Sequence, residues 1–87
     1  MDSITPEELE RFGAEISGGF VYIFRLDRKR FIDIHDLPDE WRFHLREEPS
    51  TKYEEVAIFR GRNIEYMNEI KDLYFCLTGK KLRRKRQ

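Results

Sequence analysis

The sequence predicts a small α+β domain, a three-stranded antiparallel sheet flanked by N-terminal and C-terminal helices in the order α-β-β-(α)-β-α. Three observations predict it. Residues 5–16 open with a capping hydroxyl and a proline. Residues 20–35 and 53–60 are rich in aromatic and β-branched side chains at two-residue spacing. Residues 64–77 repeat apolar side chains every three or four positions.

In Thr5-Pro6-Glu7-Glu8 the threonine supplies an N-cap oxygen and the proline a preset first helical residue. Glu8 is placed to close a capping box, and both acids suit the positive end of the helix dipole. Leu9, Phe12 and Ile16 then form a narrow apolar stripe that Gly18-Gly19 ends. Strand one is expected at 20–26 and strand two at 30–35, joined through a polar turn at Asp27–Lys29. Asp36-Leu37-Pro38-Asp39-Glu40 has the composition of a helix start, so residues 38–47 read as a short helix with Trp41, His44 and Leu45 on its apolar side. WRFHL also fits an extended segment. YEEVAIFR, residues 53–60, is the third strand, ended by Gly61. Asn63 caps the last helix, which carries Ile64, Met67, Ile70, Leu73, Tyr74 and Leu77 and stops at Gly79.

The 87 residues hold one core, since two would not fit in so short a chain. The expected division is a domain at 1–79 and a basic tail at 80–87. Hydrophobic residues at 39% and aromatics at 14% suffice for folding. No apolar run approaches a membrane span, and the acidic opening MDSITPEELERF is unlike a secretory signal. A single cysteine, Cys76, excludes an internal disulfide and a cysteine zinc cluster, and its setting in LYFCL predicts an inert, buried thiol. Seventeen basic residues balance seventeen acids, but unevenly. Lys80, Lys81, Arg83, Arg84, Lys85 and Arg86 are all basic and leave eleven bases against seventeen acids in residues 1–79. An acidic body repels phosphate over most of its surface, so nucleic acid would meet the tail and a local patch at Arg60-Gly61-Arg62. Pairing of Arg60 and Arg62 with Glu54, Glu55 or Glu65, and a tail lying back on the body, are the plainer readings. The tail also suits nuclear import if the source is eukaryotic; otherwise a cytoplasmic protein is expected.

Alternation places Tyr22, Phe24, Ile32, Ile34, Val56 and Ile58 on the covered sheet face. The other face would carry Val21, Ile23, Phe31, Asp33, His35, Ala57 and Phe59. Either the 38–47 segment covers it, or a protein partner or second copy does, through Val21, Ile23, Phe31 and Phe59. Asp33, His35, Asp36 and Asp39 are the most suggestive polar cluster, but their spacing fits no ligand motif and reads as surface ion pairing. No catalytic residue, metal site or cofactor is assigned.

The segment Gly19–Tyr74 resembles a GIY-YIG nuclease core: a hairpin, a short helix, a strand and a helix bearing a glutamate. FVYIFR, with Tyr22, resembles that family's first motif. The resemblance implies Tyr22 in proton transfer, Arg42 on the short helix, and Glu65 or Glu69 as metal ligand. Phe31-Ile32-Asp33 lacks the tyrosine and glycine of the second motif, which implies an inactive relative. Taken together, the expectation is a non-enzymatic intracellular binding or regulatory protein. Its contact is nucleic acid through the tail and the Arg60/Arg62 corner, or protein through the sheet face.

Overall fold

A computed structural model describes residues 3–48 and 57–84, with the backbone alone for 57–62. Helix α1, Pro6–Arg11, begins as its composition dictates: the Glu8 amide donates to Thr5 Oγ1 at 3.1 Å, with proline in the first turn. It is shorter than expected. The chain turns at Gly13, where φ is 93°, and Ile16 is not a helical residue. It belongs to β1, Glu15–Ser17, which pairs with β2, Val21–Arg25, across the Gly18-Gly19 turn. Both glycines have positive φ, a conformation that L side chains resist.

The turn from β2 into β3, Arg30–Asp36, is built on one carboxylate. Asp27 Oδ1 accepts from the Lys29 and Arg30 amides at 2.9 and 2.8 Å, and Oδ2 accepts from Arg30 Nε at 2.7 Å. These bonds, led by that from the Lys29 amide, hold the carboxyl at about 2 against an ordinary 3.8. The unfolded chain therefore takes up this proton first. The turn's contribution is complete above pH 4 and is lost as pH falls toward 2. Wild type and Asp27→Asn should differ in stability at pH 6 and converge near pH 2 in parallel urea titrations. A constant difference across that range would contradict the carboxylate's role.

Residues 38–47 are not a helix. Leu37 and Glu40 exchange backbone hydrogen bonds at 3.0 and 3.4 Å around Pro38-Asp39, which closes a tight hairpin into β4, Trp41–Glu47. Proline suits the second position of such a turn as well as it suits a helix start. Trp41, Phe43 and Leu45 then alternate with Arg42, His44 and Arg46. A fifth strand, β5, spans Ala57–Ile64. The sheet is thus five-stranded and antiparallel, in the order β1-β2-β3-β4-β5, where three strands were expected.

Helix α2, Met67–Thr78, starts beyond Ile64, which is the last residue of β5, and Asn63 is not its cap. Glu69 Oε2 instead accepts from the Glu65 and Tyr66 amides at 2.7 and 3.1 Å. Gly79, with φ 72°, ends the helix as its position predicts. Both helices lie on one face of the sheet. Leu9, Phe12, Met67 and Ile70 pack with Ile4, Tyr22, Phe24, Ile32, Ile34 and Ile64, and Trp41, Phe43, Leu45, Leu73, Leu77 and Leu82 border them.

Gly61 does not end the third expected strand; it lies inside β5. Phe43 pairs with Arg62 and Leu45 with Phe59, so three steps on β5 oppose two on β4, and Arg60-Gly61 form a bulge opposite His44. Inserting β4 and this bulge inverts the expected parity. Position 59 falls in the Phe24–Ile32–Leu45 row of the covered face, and position 58 pairs with Arg46 on the other. Arg60 therefore lies in a bulge and Arg62 beside it on an edge strand, and the two do not make a corner at the helix start. Residues 53–56, including Val56, lie outside the described residues, as do Glu54 and Glu55.

Candidate binding face

With both helices on one side, the opposite sheet face carries no helix among the described residues. Residues paired across antiparallel strands share a face. The register therefore defines three rows on this one: Val21–His35–Arg42, Ile23–Asp33–His44, and Arg25–Phe31–Arg46. Glu15 and Ser17 extend them at β1, and Asn63 extends the first at β5.

Two diagonal contacts tie the rows together. Arg46 Nε donates to Asp33 Oδ2 at 2.6 Å and Nη2 to Oδ1 at 3.3 Å, a bidentate pair. Arg46 also pairs with Glu48 and lies over the Phe31 ring, 4.3 Å from its centroid, while Arg25 approaches the same ring at 5.8 Å. The bond to Asp33, ahead of that to Glu48, raises the guanidinium pKa and fixes its charge. Asp33 itself is buried beneath this cluster. In the other diagonal, His44 Nδ1 and His35 Nε2 are 3.2 Å apart, so one ring donates and the other accepts. Partial burial, then the neighbouring His44, lowers the pKa of His35, and Asp33 opposes the shift. The Phe20 ring, half exposed, stands 6.3 Å from His35.

Of the residues expected on this face, Val21, Ile23, Phe31, Asp33 and His35 are there, the three hydrophobics half-buried. Phe59 is not. Arg42, His44, Arg46 and Arg25 are added; the alternation of Arg42, His44 and Arg46 between Trp41, Phe43 and Leu45 was the signal for the first three. Asp36 and Asp39 stand beyond the rows, at the β3–β4 turn.

The residues implied by the nuclease resemblance do not assemble. No helix separates β3 from β4. Tyr22 is buried on the helix-covered face, where burial and then Asp36, Glu10 and Glu7 raise its pKa, away from proton-accepting use. Arg42 stands on the opposite face, and Glu69 is engaged at the start of α2.

The tail leaves α2 on the helix side. Leu82 packs at the core margin, Arg84 reaches Glu8 at 3.6 Å and lies 5.7 Å from the Phe12 ring centroid. Lys80, Lys81 and Arg83 are exposed, and residues 85–87 lie outside the described residues. Cys76 is exposed, not buried, because α2 turns Phe75 and Cys76 away from the core that Met67 and Ile70 enter. Among the described residues, no helix is long and apolar enough to cross a membrane, and no cluster of three His, Cys, Asp or Glu side chains could hold a metal ion.

No protein-family model matches the chain, and neither do any curated protein or solved structure.

Proposed function

We propose that this chain is a non-enzymatic intracellular binding protein whose contact surface is the helix-free sheet face and whose partner is a protein. One observation carries the reading. Half-buried Val21, Ile23 and Phe31 sit among arginines and histidines, with no lysine in the rows and, among the described residues, no helix over them. Aromatic and arginine enrichment with lysine depletion is the composition of protein interfaces. The charges on the face also favour protein over polyanion. Arg46 is held by Asp33 and Glu48, and Arg42 pairs with Glu40 at 3.4 Å, so phosphate would have to displace carboxylates already in place.

Strand spacing gives each position about 33 Å² of face, hence about 400 Å² for the rows and their extensions. A standard interface takes about 800 Å² per partner. The face alone therefore suits a transient partner better than an obligate second copy.

A second reading, nucleic acid through the tail and Arg60/Arg62, is favoured by the exposed Lys80, Lys81 and Arg83. Capture from source-cell lysate on the immobilised chain separates the two. Protein binding should resist nuclease, survive deletion of residues 80–87, and fall at least tenfold in Val21→Glu, a variant checked for folding by circular dichroism. Binding that disappears with nuclease or with the tail would select the second reading.

A further inference from the structure

We propose that His35 and His44 form a two-histidine site for a borderline divalent cation, Zn²⁺ or Cu²⁺, on the helix-free face. The carrying observation is geometric. His35 Nε2 and His44 Nδ1 are 3.2 Å apart. Two imidazoles bound to a tetrahedral zinc at about 2.0–2.1 Å place their nitrogens about 3.3 Å apart, and a right-angle pair places them about 2.9 Å apart. The separation lies between these values. For both facing nitrogens to offer lone pairs to one ion, the ring that donates in this contact carries its proton on its other nitrogen instead.

The support is rigid. His35 is on the central strand β3 and His44 on its neighbour β4, so register fixes the pair rather than a loop. The nearby cations are compensated: Arg42, opposite His35, pairs with Glu40, and Arg46, next on the face, pairs with Asp33 and Glu48. Asp33, opposite His44, is committed to Arg46. With no third side chain among the described residues completing a cluster, the remaining positions on the ion face outward, to water or a partner's ligand. Imidazole selects zinc, copper or nickel over magnesium and calcium, which prefer oxygen.

The test is calorimetric titration of the full chain with Zn²⁺ at fixed pH, alongside His35→Gln, His44→Gln and Cys76→Ser. The expected result is one saturable site per chain, weakened at least tenfold by either histidine substitution, unchanged in Cys76→Ser, with no response to Mg²⁺. No saturable binding, affinity unchanged from wild type in either histidine variant, or loss only in Cys76→Ser would overturn the site. If either histidine variant unfolds, the wild type decides by ¹⁵N spectroscopy. Zn²⁺ must shift His35 Nε2 and His44 Nδ1, and shifts confined to other nitrogens refute the assignment.

Discussion

Ile34→Ala is expected to lower the unfolding free energy by about 3 kcal/mol. Ile34 is fully buried on β3, the third of five strands, between Tyr22 and Phe43 on the helix-covered face. Loss of three carbons forfeits about 2 kcal/mol of transfer free energy at about 0.8 per methylene. A cavity term adds to that, because strands paired on both sides cannot close the gap. Domains of this size have about 5–10 kcal/mol in total, so the variant should melt at least 10 °C lower. Val21→Ala, on the other face and half-buried, should cost under about 1 kcal/mol. Urea unfolding of both variants with an unchanged slope gives the comparison. A larger loss in Val21→Ala would mean that the helices cover the wrong face.

What the chain reveals before folding is what nearest neighbours decide. Thr5-Pro6 starts α1 and Gly79 stops α2, because a capping oxygen and a left-handed glycine act within one turn. The covered face of β3 was legible for a similar reason: in RFIDIH, Ile32 and Ile34 share one side while Asp33 and His35 share the other, whereas FVYIF is apolar on both sides and takes its orientation from pairing with β3. Pro38-Asp39 was not, since proline at a first helical residue and proline at the second position of a turn are locally the same residue. The pairing of β3 with β4 decides it, and that pairing is long-range. The end of α1 is not legible locally, because Ile16 continues the helical spacing while pairing with Tyr22 draws it into an edge strand.

The candidate face was legible by halves. Val21, Ile23 and Phe31 follow from alternation within the β2–β3 hairpin. Arg42, His44 and Arg46 do so only once β4 is a strand, and neither diagonal contact can be read until β3 and β4 are in register. Position 59 depends further on the bulge at Arg60-Gly61, a one-residue insertion that reverses every later side chain and that two-residue counting cannot detect.

The Asp33–Arg46 pair supplies the second large prediction. Each side chain retains under a fifth of its exposure, and the pair is bidentate. Breaking a fully buried pair costs about 3–5 kcal/mol. Here one side of the sheet is open to water, which screens the charges, so the expected coupling in a double-mutant cycle is about 1–2 kcal/mol. The two single variants should not be equal. Without Asp33, Arg46 keeps Glu48 and the Phe31 ring. Without Arg46, Asp33 is a buried carboxylate deprived of its bidentate donor, so Arg46→Ala should cost more than Asp33→Ala. The Arg30–Asp27 pair is a useful control: it is an i,i+3 contact at 2.7 Å whose side chains are 38% and 45% exposed. Half-molar salt should erase its coupling and leave most of that between Asp33 and Arg46, because screening reaches exposed charges first. Coupling below about 0.3 kcal/mol, or equal salt sensitivity in both pairs, would mean that Asp33 is far more hydrated than its place beneath Arg46 implies. The outer face would then be a loose polar surface instead of an ordered one, and a partner would have to organise it on binding.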